Sequence, residues 1–204
     1  CRIGEPNKGF QYIAEALDIE RFTMFTFSPI RGRTELLCDY VRDTVRDGKP
    51  LKGDPVIRQK VAQLVTECEV ARLLGVRFVD AALTAGKTPT IEASEYKLYA
   101  TELSRRLADA TMDIAGPGTQ LALGTEDAPL KGRAESCYTY TVIDTIGGGS
   151  SEVQKNIIAK RKLDLPKNFS SPATCPRCDA SPASTWPPSG PPREPRTFLR
   201  TTAC

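Results

Sequence analysis

Histidine is absent from all 204 residues. That one absence removes the commonest general base, every Ser-His nucleophile system and mixed Cys/His zinc sites. Chemistry carried by this chain must rest on carboxylates, on a cofactor, or on both. Charge of one sign is also missing. The formal net charge is only +3, and Lys and Arg are interleaved with Asp and Glu along most of the length, which leaves no basic stripe for nucleic acid. No run of about 18 apolar residues occurs, so no membrane span is expected. The opening residues CRIGEPNKGF lack the basic and apolar segments of a signal peptide. With no Met at its start, the chain is expected to be the remaining part of a longer polypeptide.

What is present is helical periodicity. A content of 40% hydrophobic and 26% charged residues is ordinary for a folded domain. Phe10, Ile13, Leu17, Phe22 and Phe25 recur at helical spacing, with Glu15, Asp18 and Arg21 between them, and predict a helix from Phe10 to Phe27 with one buried face. A second helix is expected from Arg33 to about Arg46. Asp54-Pro55 is a start signal for a long third one, because Asp caps free N–H groups and Pro loses nothing in the first turn. Its stripe is Ile57, Val61, Leu64, Val65, Cys68, Ala71, Leu74 and Phe78, running toward Leu83. Thr90 is the expected cap of a fourth helix, with Tyr96, Tyr99, Leu103, Leu107, Ala110 and Ile114 on its apolar side, ending near Gly116. An irregular stretch from Pro117 to Gly132, a helix around Ala134 to Thr145 and a last one from Ser151 to Leu163 complete the reading. Long stripes joined by short turns imply antiparallel packing. The fold class is therefore all-α, with a helical bundle as its core.

Cys38, Cys68 and Cys137 sit singly in apolar, helix-like surroundings, where buried reduced thiols are expected. Beyond Phe169 the composition changes: residues 170–204 hold eight of the sixteen prolines, the only Trp and three cysteines. They read as a disordered tail. Within it Cys175-Pro-Arg-Cys178 has zinc-knuckle or redox spacing, but a single CxxC without a second pair or a His is a weak metal signal.

The stretch DTIGGGSSEVQKNIIAKR, Asp144 to Arg161, poses the functional question. Three glycines permit close backbone approach, and the free N–H groups opening the next helix attract negative charge. Ser151 with Gln154 also fits a capping box. No Lys-Ser/Thr follows and the spacing is not GxGxxG, so it is neither a Walker loop nor a dinucleotide fingerprint. A capped helix with a flexible joint and a ligand-binding turn both remain open on the residues alone.

IGGGSSEVQKNIIAKR resembles the C-terminal signature of the acyl-CoA dehydrogenases, flavoproteins that remove an α-proton from an acyl thioester and pass the β-hydride to FAD. GEPNKGFQYIAEALDIER is similar to the join between that family's β-domain and the first helix of its C-terminal helical domain. The likeness is colinear from about Ile3 to Phe169. It implies that residues 1–9 end the β-domain, 10–169 form the C-terminal helical domain as an up-and-down antiparallel four-helix-like bundle and 170–204 are a tail, with the N-terminal domain and most of the β-domain lying outside this chain. Many members place a catalytic Glu where this chain has Gly148. A subset places it on the first helix in an LDxER context, here Leu17-Asp18-Ile19-Glu20-Arg21, so the resemblance implies Glu20 as the base. The other reading of Glu20 is a solvated helix residue paired with Lys or Arg. Arg21 is implied either to hold the CoA end of the substrate or to pin the helix. Gly148, Gly149, Ser150 and Glu152 match the loop that meets the adenosine half of FAD, with Ser150 and Glu152 alternatively serving only as helix caps.

Two other family elements are altered. Thr44 stands where relatives place an Arg toward the flavin pyrophosphate, and Asp47 replaces a Phe. The adenine-binding turn has become Met112 to Gly118 and has lost its Gln. In the family these two elements reach a neighbouring subunit's flavin, so their loss suits a heteromeric α2β2-type enzyme with one flavin site empty. The implied partners are an acyl-CoA, an electron-transfer flavoprotein or similar acceptor, and dehydrogenase subunits forming a homo- or hetero-tetramer. The compartment implied is the bacterial cytoplasm, or the mitochondrial matrix in a eukaryote. A non-catalytic helical oligomerisation subunit is the competing function. An oxidase-type relative with a different final electron acceptor is a third. Expressed alone, the chain is expected to expose apolar surface and to associate.

Overall fold

Pro, Gly and Asp punctuate the chain into six α-helices among the described residues, which are 3–24, 27–86 and 88–166 of the computed structural model. They are α1 Gly9–Met24, α2 Phe27–Asp43, α3 Pro55–Ala85, α4 Thr90–Ala115, α5 Arg133–Asp144 and α6 Ser151–Arg161. The Asp54 carboxylate accepts hydrogen bonds from the Val56 and Ile57 amides at 2.8 and 3.3 Å, and Pro55 opens α3 behind it. Gly86, at φ 61°, closes α3 with the left-handed residue that helix ends favour.

The second helix runs Phe27–Asp43, not Arg33–Arg46. Asp47-Gly48 takes φ values of 51° and 74° and forms the two-residue turn of a hairpin that pairs β1, Val45–Arg46, with β2, Lys49–Pro50. Asp-Gly supplies the positive φ such a turn demands, and that local preference outweighed continuation of the helix. Arg46 is thereby redirected: its Nη2 donates to the Ile114 carbonyl at 2.5 Å. A cation on an unpaired carbonyl at the end of α4 is stabilising there.

The apolar core lies where α2, α3 and α4 meet, on Leu37, Val41, Leu64, Cys68, Ala71, Leu103, Leu107 and Ile114. Burial of each Leu contributes roughly 1.5–3 kcal/mol. Phe22 of α1 stacks on Phe78 at 4.2 Å and tilts onto Tyr96 at 5.1 Å. Gly75 leaves room for this cluster, since a Cβ there would lie 3.2 Å from the Tyr96 ring. Burial pushes the Tyr96 hydroxyl up to about 12. The stripes of α3 and α4 are the expected ones in their middles, although Val65 and Leu83 are exposed.

The first helix departs from expectation. Phe10 and Ile13 are 85% and 60% exposed, whereas Asp18 and Arg21 are buried. The residues that α1 buries are those that meet polar groups of α4 and of the loop before α6. Phe25 and the residues from 167 onward, with the CxxC, lie outside the described residues. Cys68 is buried, and Cys38 and Cys137 are partly exposed free thiols. Exposed Ile13, Ile19, Leu73, Val76, Ile143 and Ile146 supply the apolar surface the sequence leads one to expect.

Candidate active site

The glycine loop is built by curling the chain between α5 and α6. The Gly147 amide donates to the Ile143 carbonyl at 2.8 Å, and the Ser151 amide returns to the Thr145 carbonyl at 3.2 Å. Gly148 and Gly149 take φ values of 65° and 97°. Glycine at 149 is demanded twice over, because a Cβ there would also stand 2.7 Å from Gln154 Nε2. The cap of α6 is Ser150, whose hydroxyl accepts from the Val153 amide at 3.5 Å; it is not the Ser151 capping box. Gln154 is fully buried and turns back into the loop, donating to the carbonyls of Gly148 at 3.0 Å and Gly149 at 3.2 Å.

Arg21 joins this loop to the first helix across 127 residues of sequence: its Nε donates to the Gly148 carbonyl at 3.0 Å. Its Nη1 is held by Asp18 one turn earlier. The other Asp18 oxygen accepts from the Thr90 hydroxyl at 2.5 Å. Thr90 is therefore not the cap of α4: it is the first helical residue, and it ties α4 to α1. Breaking a buried ion pair of this kind from one side typically costs about 3–5 kcal/mol, because the remaining charge is left in a poor solvent.

Glu20 follows from that anchoring. It is half-buried, adjacent in sequence to the clamped Arg21, and its carboxylate has no hydrogen-bond or ion-pair partner among the described residues. Glu152 stands exposed in the first turn of α6, where its own backbone N–H and then the Ser150 hydroxyl hold its carboxyl below the usual range. Arg21 and the loop at Gly148 thus meet at one end of the bundle, with Glu20 the residue before Arg21 on α1.

The two altered elements are gathered elsewhere. Asp47 is at the exposed hairpin tip, Asp113 pairs with Lys60 at 2.8 Å, and the Arg46 bond to Ile114 draws the hairpin to the 112–118 turn.

Beneath the loop lies a polar floor that sequence reasoning missed. Lys97 is fully buried, and the Ser104 hydroxyl donates to Asp144 at 2.9 Å. Burial pulls the Lys97 pKa down, opposed chiefly by the Asp144 charge; Arg21 acts with burial and Glu152 against it. The signal was available: Ser94, Lys97, Thr101 and Ser104 recur at helical spacing and form a second, polar stripe on α4.

A family model described as the acyl-CoA dehydrogenase C-terminal domain matches residues 7–163. The chain belongs to the acyl-CoA dehydrogenase family. Acyl-CoA dehydrogenase FadE26 of Mycobacterium tuberculosis is 28% identical over 81% of this chain and 42% of its own length. The human mitochondrial short-chain specific acyl-CoA dehydrogenase is 32% identical over 80% of this chain and 39% of its own. Among solved structures, a chain of the ChsE4-ChsE5 complex from Mycobacterium tuberculosis superposes with a TM-score of 0.71 and 28% identity, covering 82% of this chain and 43% of that one. This acyl-CoA dehydrogenase domain therefore spans about two-fifths of the length of the relatives it matches. Among the described residues no helix is long and apolar enough to cross a membrane, and no cluster of potential metal ligands occurs.

Proposed function

We propose that this chain is the C-terminal part of an FAD-dependent enzyme that dehydrogenates an acyl-CoA thioester between its α and β carbons, with Glu20 as the base. The observation that carries the reading is the Arg21–Gly148 hydrogen bond, which fixes the helix bearing Glu20 against the glycine loop. Gly148, lacking a side chain, offers no proton acceptor where many members have one, and Glu20 offers an unpaired carboxylate. That carboxylate would accept the α-proton of the thioester. Arg21 already serves Asp18 and Gly148 inside the protein, which favours pinning the helix over holding CoA.

The residues present fit the adenosine half of FAD in one respect. Glu152, ionised at the outer edge of the loop, is an acceptor suited to a ribose hydroxyl and repels a phosphate; the Ser151, Val153 and Gln154 amides are engaged within the turn. Gly148, Gly149, Ser150 and Glu152 would hold the cofactor there. Bound FAD supplies the acceptor for the β-hydride.

An acyl-CoA, an electron acceptor such as an electron-transfer flavoprotein, and sister dehydrogenase subunits are the partners of this reading, in a bacterial cytoplasm or a mitochondrial matrix. Thr44, Asp47 and the altered 112–118 turn favour a hetero-tetramer, and the name of the similar ChsE4-ChsE5 complex describes a two-component assembly. Those same losses support a second reading, a non-catalytic helical partner of an active subunit. Flavin bleaching by a panel of acyl-CoAs, measured on the assembled flavin-loaded enzyme, separates the two. A Glu20→Gln enzyme that keeps FAD and no longer bleaches supports the base; equal bleaching by both forms assigns the chain to the scaffold. One FAD per chain in the complex would rule out the empty-site assembly.

A further inference from the structure

A second cleft lies between α2, α4 and the start of α5, with a volume of about 470 Å³. That is within the range of roughly 300–1,000 Å³ common to small-molecule sites. Its walls are apolar: Leu36, Leu107, Ala108, Leu130 and Ala134. Two guanidiniums, Arg33 and Arg133, stand among them. Arg33 gives its Nε to the Pro29 carbonyl at 3.2 Å, and neither Arg has an acidic partner among the described residues. The other wall is held in an unusual way. Leu130, Lys131 and Gly132 take φ values of 54°, 56° and 75° in succession. A Cβ on Gly132 would collide with the Ala122 carbonyl oxygen at 2.3 Å, so the chain is drawn tight against that backbone. The resulting left-handed turn brings Leu130, a residue that rarely adopts such a conformation, to the cleft wall.

We propose that this cleft binds a straight-chain carboxylate, the alkyl chain against Leu36, Leu107 and Leu130 and the head group on Arg33 and Arg133. Charge decides the class. An apolar slot alone would accept any lipid-like chain, whereas two unpaired guanidiniums favour a planar anion they can bind through paired N–H groups. The site is separate from the glycine loop and does not depend on the proposed reaction.

The test is calorimetric titration of the full chain with decanoate, decanol and decyltrimethylammonium. Gly32 lines the cleft and a Cβ there meets nothing within 4 Å, so Gly32→Phe fills the slot without disturbing the fold; helical circular dichroism verifies this. The proposal expects decanoate to bind at least about tenfold more tightly than either analogue, a charge-assisted bond being worth that much. It expects a similar loss in the Arg33→Gln/Arg133→Gln double variant and loss of binding in Gly32→Phe. Equal binding of all three probes, or decanoate binding indifferent to these substitutions, overturns it. So does light scattering that shows a decanoate-insensitive dimer dispersed by Gly32→Phe, which would make the cleft a contact between copies.

Discussion

Toward α2 and α3 the fourth helix presents Leu103, Leu107 and Ile114, and toward α1, α5 and α6 it presents Thr90, Lys97 and Ser104. The first side is stabilised by area removed from water, a non-directional force that tolerates exchange among residues of similar volume. The second carries directed bonds, Thr90 to Asp18 and Ser104 to Asp144, whose buried members are costly without their partners. One helix therefore serves as the centre of an ordinary core on one face and as the floor of the glycine loop on the other. The difference assigns stability to one side and positioning to the other.

The comparison is sharpened by substitutions on each side. Asp18→Ala is expected to have the largest effect, a destabilisation of about 3–5 kcal/mol in urea unfolding, because Arg21 is left charged in a buried setting and Thr90 of α4 loses its acceptor. A loss within the surface range of about 0.5 kcal/mol would break the comparison. Leu103→Ala should cost about 3 kcal/mol through lost transfer energy and a cavity, while leaving amide exchange in the 145–151 loop unchanged. Ser150→Ala, which removes a long cap bond, should cost only about 1 kcal/mol or less.

Acidity provides a further check with a definite sign. Burial holds the folded Lys97 below its ordinary 10.5, so the unfolded chain takes up the proton first as pH falls from there. Stability should decline from pH 10.5 down through the folded value and level off below it. The urea midpoint of wild type relative to that of Lys97→Met, followed from pH 7 upward, should therefore rise with pH. A difference that stays constant would show that Lys97 is not desolvated.

The apolar side was legible because periodicity reports burial directly: Leu64, Cys68, Ala71, Leu103 and Leu107 are all where the 3.6-residue period puts them. On α1 the same rule misled. Phe10 and Ile13 continue the period but lie on the surface, and Asp18 and Arg21 are inside because they pair with each other and with groups distant in sequence. Periodicity cannot foresee a bond to a backbone carbonyl 127 positions away. Hairpin chemistry at Asp47-Gly48 was visible in the residues but was outweighed in the reading by the apparent continuation of the helix to Arg46. The resemblance named Arg21 and the glycine loop separately; the bond that joins them is a property of the fold.

The most direct test of that bond is hydrogen exchange on wild type and Arg21→Met. If Arg21 ties the Glu20 helix to the loop, amides of residues 147–151 should lose more protection in the variant than the amides of α3, whose protection falls only by the global loss of stability. A loss in the loop no larger than that in α3 would contradict the account and leave the Glu20 helix unfixed against the loop.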